Sequence, residues 1–148
     1  MKKSHDFYTD IIVKYFKDNF NWIDFEICSD SKNDYFPRVD SIKIKNNFTD
    51  ELILKIPDFS AINHNSFPRI SILGEAKTYK DFLEASKRRD EQIDYMMQFL
   101  KVKEKPYLIY SLPFQLHASI NNILEEKKIE HLAQNVEIII LNELSIDL

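Results

Sequence analysis

Residues 69–78, Arg-Ile-Ser-Ile-Leu-Gly-Glu-Ala-Lys-Thr, constrain the fold more than any other stretch of the chain. Their apolar first half predicts a strand that is covered on at least one face. Thr78, followed three residues later by Asp81, is typical of a helix start. The sequence therefore predicts a buried strand that runs directly into a helix, as in an α/β fold.

The end of this predicted strand carries two charged side chains in alternation with two small residues. Because side chains alternate along a strand, Glu75 and Lys77 point to one face, whereas Gly74 and Ala76 point to the other. Small residues permit close packing on their side of the sheet. An acid and a base are thus held as neighbours by the backbone, although an isolated Glu-x-Lys is more often an ordinary surface ion pair.

A second strand-like stretch, residues 51–59, alternates in polarity and is interrupted at Pro57, with Asp58 next to it. Residues 60–68 then read as a turn-rich connection. This order lets the two strands pair in an antiparallel fashion, which brings Asp58 towards Glu75 and Lys77.

With Pro57-Asp58, then Glu75-Ala76-Lys77 on the next strand, then a helix, the chain resembles the PD-(D/E)XK nuclease superfamily, whose fold is called restriction-endonuclease-like. The resemblance implies that Asp58 and Glu75 bind one or two divalent cations, together with the backbone carbonyl of Ala76. It also implies that Lys77 lies beside the attacking water and is catalytic. The resemblance covers about residues 35–142.

The chemistry of the two acids agrees with a cation site. Two carboxylates about 4 Å apart repel by roughly 4 kcal/mol at an effective dielectric near 20, and a bound cation would reverse this cost. Oxygen ligands favour Mg²⁺ or Mn²⁺ over Zn²⁺. The four histidines show no metal-ligand spacing in the sequence, and a chain with a single glycine offers no glycine-rich phosphate loop.

Two further acids compete for a place in the site. Asp40 also follows a proline, Pro37, on a strand-like stretch, but Asp58 has the direct Pro-Asp pair and is the favoured ligand. Glu26 is a candidate for an additional acidic residue near the first helix. For Glu26, an ordinary solvated side chain is the leading alternative.

The longest predicted helix, residues 79–103, contributes the remaining candidates. Gln92 is a candidate catalytic residue that positions water or a phosphate, and a helix-side hydrogen bond is the alternative. The RecB-type branch of the superfamily has Gln-x-x-x-Tyr here, whereas Tyr95 stands one position early, which leaves its role open. A basic group on the same helix is expected to contact nucleic acid, although such runs are usually solvated: Lys80, Lys87, Arg88 and Arg89.

The remaining pattern predicts an amphipathic helix over residues 5–20 and antiparallel strands over 35–45, 51–59 and 69–78. Residues 22–28 fit either a short strand or a frayed helix end. A strand at 107–112, a helix at 114–133 and a strand at 136–141 then form a parallel crossover. The expected fold is an α/β, restriction-endonuclease-like core, in which helices flank a central mixed sheet of about five strands.

The composition indicates the class of protein and the compartment in which it is expected to work. The 148 residues, 44% hydrophobic and 30% charged, suit a single soluble domain spanning residues 1–148. One cysteine, Cys28, and the lack of a signal-peptide pattern or a long apolar span indicate a reducing, cytoplasmic protein without a membrane partner. Because the formal net charge is −4, any binding of nucleic acid must depend on a local cluster of positive charges and not on the overall charge.

These observations lead us to expect a Mg²⁺- or Mn²⁺-dependent nuclease that cleaves DNA, as an endonuclease of a restriction or phage-defence type. A homodimer, or a partner subunit that supplies specificity, is expected. One alternative is a structure-selective nuclease such as a junction resolvase. The other is a nuclease-fold module that binds nucleic acid or a partner without cutting.

Overall fold

The computed structural model describes residues 4–29, 42–45, 52–55 and 57–145. It confirms an α/β fold with a five-stranded mixed sheet flanked by helices. The helices and strands are α1 (His5–Asn19), β1 (Glu26–Ser29), β2 (Ile42–Lys45), β3 (Leu52–Lys55), β4 (Phe59–Asn63), β5 (Ile70–Ala76), α2 (Tyr79–Glu84), α3 (Ser86–Leu100), β6 (Lys105–Ser111), α4 (His117–Glu130) and β7 (Glu137–Leu141). Among these residues, no helix combines the length and the apolar character needed to cross a bilayer.

The strand order in the main sheet is β1-β4-β5-β6-β7. Strand β4 is antiparallel to both of its neighbours, β1 and β5, whereas β5, β6 and β7 run parallel to one another. The predicted succession of three antiparallel strands and a parallel crossover is therefore present. The crossover from β6 through α4 to β7 covers one face of the sheet.

The identity of the antiparallel strands differs from the prediction. Within the predicted stretch 51–59, β3 does not pair with β5, because it pairs with β2 in a separate two-stranded sheet, and only Phe59 at the end of the stretch lies opposite β5. The partner of β5 is β4, which lies in the stretch predicted to be a turn-rich connection. The actual turn begins at Asn63, whose Oδ1 accepts the N–H groups of Asn65 and Ser66. Residues 30–41, where the first predicted strand begins, lie outside the described part.

The strand at the edge of the antiparallel half is β1, within the stretch that the sequence left between a strand and a helix end. A 3-10 turn, Trp22–Asp24, separates it from α1. It pairs with β4 so that Ser29 lies opposite Phe59 and Glu26 opposite Ile62. The end of β1 that carries Ser29 is therefore the end nearer Asp58.

Helix α1 packs closely on one face of β4 and β5, and the small residues of β5 make this possible. A Cβ atom added to Gly74 would lie 3.0 Å from Phe59 Cβ and 3.1 Å from Ile12 Cγ2. Ala76 is fully buried in the same cluster as Ile12 and Phe16. The predicted division of β5 into a small-residue face and a charged face is thus confirmed.

The predicted single helix over residues 79–103 is two helices. Thr78 Oγ1 caps α2 by accepting the Asp81 N–H, as the sequence predicted. The helical backbone is interrupted at Ala85, where φ is −111° and ψ is 45°. Arg89 stabilises this joint, because its Nη1 donates to the Phe82 carbonyl at 2.9 Å and its guanidinium lies over the Phe82 ring.

Candidate functional site

The carboxyl end of β5 is where the predicted site residues meet. Asp58 directly precedes β4, and Phe59 lies opposite Gly74 in the antiparallel register, so Asp58 lies beside the end of β5. Asp58 Oδ2 accepts the Ala76 backbone N–H at 2.8 Å. Because the N–H and C=O of one strand residue point the same way, the Ala76 carbonyl is also directed to this side.

Asp58 and Glu75 are both buried, at 8% and 5% exposure. Burial raises the pKa of Glu75 well above its usual value, and hydrogen bonding with Asp58 and the negative charge of Asp58 raise it further. Burial opposes ionisation of Asp58 as well, but hydrogen bonds from Glu75, His5 and the Ala76 N–H outweigh it and lower the pKa of Asp58. Glu75 is therefore the member of the hydrogen-bonded pair that is harder to ionise, and Asp58 is the one that is easier to ionise.

His5, which the sequence gave no reason to include, belongs to the same group. It is the first residue of α1, and its Nε2 lies 3.1 Å from Asp58 Oδ2. The hydrogen bond to Asp58 raises the pKa of His5 in spite of its partial burial. One nitrogen of His5 and one carboxylate oxygen each of Asp58 and Glu75 all lie within 4.8 Å of one another.

Lys77 continues the charged face of β5 beyond Glu75. Its backbone N–H donates to the Ser111 carbonyl at 3.0 Å, which fixes the residue at the end of the parallel pair β5–β6. Its Nζ donates to Gln92 Oε1 on α3 at 2.8 Å. The positive charge of Lys77 counteracts the rise in the pKa of Glu75, so the two groups interact electrostatically. Gln92 therefore lies where it positions Lys77.

Tyr110 forms the buried floor of the site, and the sequence did not single it out. It lies opposite Glu75 in the parallel register and is fully buried. Its hydroxyl has no hydrogen-bond partner within the described ranges. Burial and the nearby charge of Glu75 raise the pKa of Tyr110 well above its usual value. An apolar floor of this kind strengthens the electrostatic interactions above it.

The predicted nucleic-acid contacts divide into two groups. Lys80, Lys87 and Arg88 are exposed on α2 and α3. Arg89 is only 9% exposed and is held by Phe82 and by Asp90, whose Oδ1 lies 3.0 Å from its Nε. The guanidinium of Arg89 is thus committed to the α2–α3 joint, which argues against the phosphate contact predicted for it.

Of the two competing acids, Glu26 is the one that the structure describes, and it does not join the group. Glu26 lies at the end of β1 farther from Asp58, and its Oε2 accepts a hydrogen bond from exposed His64 or pairs with it at 3.0 Å. Asp40 lies outside the described residues. Tyr95 is partly buried on α3 and does not acquire a role from its position.

The donor set at the end of β5 fits a divalent cation. Two carboxylates and an imidazole converge, and burial together with the charge of Asp58 disfavours ionisation of Glu75, a cost that a bound cation would offset. The nitrogen donor of His5 suits Mn²⁺ and other first-row ions better than Mg²⁺, which prefers oxygen. The sequence had suggested an oxygen-only set.

A second group of comparable residues lies between α3 and α4. Asp94, Glu130 and His131 also bring three ligand atoms within 4.8 Å of one another. Here Lys127 Nζ lies 2.9 Å from Asp94 Oδ1 and 3.4 Å from Glu130 Oε2. A lysine therefore already neutralises these acids.

No protein-family model, no curated protein and no solved structure matches this chain. Similarity to known proteins therefore assigns neither a family nor a fold relative. The resemblance to the PD-(D/E)XK superfamily stays a prediction, and the site has to be interpreted from its own geometry.

Proposed function

We propose that the protein is a divalent-metal-dependent nuclease with a restriction-endonuclease-like core, which hydrolyses phosphodiester bonds in DNA. The observation that carries the proposal is the convergence of buried Asp58 and Glu75 beside Lys77, whose ammonium Gln92 holds in place. The residue order Pro-Asp, Glu-x-Lys and helix supports it independently. Either feature alone is common in proteins, whereas their coincidence at one sheet edge is not.

The residues that would hold the cation are Asp58, Glu75 and the Ala76 carbonyl, with His5 as a nitrogen ligand. When bound, the cation supplies Lewis acidity that offsets the negative charge of the scissile phosphate. Two anionic carboxylates without a cation would repel the phosphate, so the site is suited to phosphate only when it is loaded.

Lys77 is the residue that orients the attacking water. An ammonium has three N–H donors, and the bond to Gln92 Oε1 uses one of them. The other two remain to orient the attacking water and a phosphate oxygen. In the hydrolysis, the water oxygen forms a bond to phosphorus and the bond to the leaving sugar oxygen breaks. One water proton ends on the leaving oxygen, which becomes a hydroxyl, and the other stays on the phosphate produced.

Substrate binding depends on a local group of cations rather than on the charge of the whole protein. The net charge of −4 gives the whole protein no attraction for a polyanion, so binding has to depend on the exposed cations of α2 and α3. Lys80, Lys87 and Arg88 follow Lys77 along the chain, are exposed, and are the residues that we propose contact phosphates. DNA is the substrate that the resemblance implies.

The test incubates the purified protein with supercoiled plasmid, single-stranded DNA and a four-way junction, each with Mg²⁺, Mn²⁺ or chelator. Glu75→Gln removes one carboxylate ligand from the site, and Glu130→Gln is the matched control in the second acidic group. We expect metal-dependent cutting that is lost in Glu75→Gln and kept in Glu130→Gln. Folded protein that cuts none of the substrates with either ion would refute the nuclease proposal and favour a non-cleaving binding module.

The form of DNA that is cut distinguishes the two enzymatic alternatives. Cutting of plasmid in preference to the junction indicates an endonuclease of the restriction or defence type. Cutting confined to the junction indicates a structure-selective nuclease.

A further inference from the structure

The outer edge of β7 is a strand edge to which no other described strand pairs. Within the residues that the structure describes, β7 pairs only with β6. Its sequence is Glu-Ile-Ile-Ile-Leu, and the three isoleucines are only partly buried. Proteins usually protect such edges with lysine, proline or a bulge, but β7 contains neither lysine nor proline and keeps an unbroken register with β6.

The hydrogen bonds of β7 show which backbone groups face outward. The Leu141 carbonyl accepts the Leu112 N–H at 3.1 Å, so Leu141 directs its backbone groups to β6. Because direction alternates along a strand, Ile139 and Glu137 do the same. Ile138 and Ile140 therefore direct their N–H and C=O groups away from the sheet. These four groups make no hydrogen bond to any described residue.

The backbone on either side of these four groups is occupied within its own chain. The Val136 N–H donates to the Ala133 carbonyl at 3.0 Å, and the Asn142 N–H donates to Ser145 Oγ at 3.1 Å. The open segment is therefore short and is bounded at both ends. Its centre is Ile139.

We propose that a second copy of this chain pairs with this edge, strand β7 against strand β7, antiparallel about a two-fold axis at Ile139. In this register, Ile138 of each copy exchanges both backbone hydrogen bonds with Ile140 of the other. All four outward groups are then satisfied, and two five-stranded sheets join into one of ten strands.

Other symmetric registers are poorer. An axis at Ile138 would set Ile140 against Val136, whose N–H is already bound to Ala133. An axis at Ile140 would set Ile138 against Asn142, whose N–H is already bound to Ser145. Each of these leaves outward carbonyls without a donor, and a buried carbonyl without a partner is costly.

The side chains suit the same register. Ile139 lies opposite its own counterpart and Ile138 opposite Ile140, and β-branched pairs of this kind stabilise sheets. Glu137 lies opposite Leu141, so no like charges face each other. The two Glu137 residues stand at opposite ends of the pair, about 13 Å apart along the strand, which exceeds the screening length at physiological salt.

The test is disulfide trapping in a background that lacks the native cysteine, Cys28→Ser. Ile139→Cys places two thiols at a non-hydrogen-bonded pair, where Cα atoms about 4.5 Å apart permit a disulfide. Ile138→Cys is the matched control, because the two copies of residue 138 are offset by two residues along the strand and their Cα atoms lie beyond about 7 Å.

We expect Ile139→Cys to form the interchain disulfide at least about tenfold faster than Ile138→Cys under mild oxidation. Circular dichroism melting verifies that both variants are folded. Equal rates for the two variants, or no cross-linked dimer from folded Ile139→Cys at high protein concentration, would overturn the proposal. The measurement needs no nuclease activity, so its outcome is independent of the proposed function.

Discussion

Among the residues that the structure describes, two groups contain one histidine, one aspartate and one glutamate with ligand atoms within 4.8 Å of one another, yet they differ in chemistry. At the end of β5, Glu75 is 5% exposed, and the nearest lysine donates to a glutamine. Between α3 and α4, the Glu130 side chain is 61% exposed, and Lys127 lies against both acids. We refer to these as the β5 group and the α3–α4 group.

The difference shows that residue types alone do not define a metal site. The α3–α4 group is solvated and internally neutralised, so binding a cation there would have to displace Lys127. The β5 group is buried, and its burial together with the charge of Asp58 raises the pKa of Glu75, so a bound cation would stabilise the two carboxylates. Burial of both acids, and a lysine that donates to Gln92 rather than to the acids, distinguish the β5 group from the α3–α4 group.

The largest expected difference between the groups is in catalysis. Lys77→Ala should lower the rate of DNA cleavage by about 10³-fold, because the ammonium that orients water and phosphate is lost. Lys127→Ala, the equivalent change in the α3–α4 group, should alter the rate by less than about twofold. Single-turnover cleavage assays measure both. A Lys77→Ala protein that cuts at the normal rate would show that Lys77 has no catalytic part.

Metal binding should also separate the two groups. Mn²⁺ at 100 times its dissociation constant stabilises the folded state by about 2.7 kcal/mol, which raises the melting temperature by roughly 5–10 °C. Glu75→Gln should abolish this increase, whereas Asp94→Asn should leave it intact. Thermal melts with and without Mn²⁺ test the contrast, and an increase that survives Glu75→Gln but not Asp94→Asn would place the cation in the α3–α4 group.

The pH dependence of metal-free stability should come from the β5 group. The pKa of Glu75 is raised in the folded state, so the folded protein binds more protons than the unfolded one above the ordinary glutamate pKa. The free energy of unfolding should therefore fall as the pH rises from about 4.5 towards the pKa of folded Glu75. The lowered pKa of Asp58 acts at more acidic pH, outside this range.

Denaturant unfolding in the presence of chelator, measured across this pH range, tests whether the free energy of unfolding falls as the pH rises. Glu75→Gln should flatten the decline, because it removes the titrating group while keeping its shape. Glu130→Gln should retain the wild-type slope. A decline that is unchanged in Glu75→Gln would mean that another group causes it.

The smallest expected effect concerns Gln92. Among the described residues, the α3–α4 group has no equivalent of this glutamine. Gln92→Leu should lower the cleavage rate about tenfold, because Lys77 loses the partner that holds its Nζ. It should change the Michaelis constant little, and Gln115→Leu, at an exposed position near α4, is the control. An effect on the Michaelis constant alone would instead indicate that Gln92 contacts substrate.

The sequence predicted the parts of the site that depend on local alternation. Glu75 and Lys77 share a face of β5, and Gly74 and Ala76 share the other, because strand geometry determines both. The proximity of Asp58 also followed, although the antiparallel partner of β5 proved to be the strand after Asp58 and not the one before it. Pro57 marks a break between strands, and the prediction took it for the end of the pairing strand.

The parts that were missed depend on distant residues. His5 lies 53 positions from Asp58, and only the docking of α1 on the sheet brings them together. Tyr110 reaches Glu75 through the parallel register of β5 and β6, which local sequence does not specify. The interruption at Ala85 depends on a buried arginine contact with the Phe82 carbonyl, whereas helical periodicity continues through it.

Gly74 has a consequence for the chemistry on the other side of its strand. It lets Ile12 of α1 approach the backbone of β5, and a single added carbon would force Ile12 or Phe59 to move. The same helix begins with His5, whose reach to Asp58 therefore depends on how deeply the helix sits. The position of the His5 imidazole beside Asp58 therefore depends on the small size of Gly74, which lies on the opposite face of the sheet.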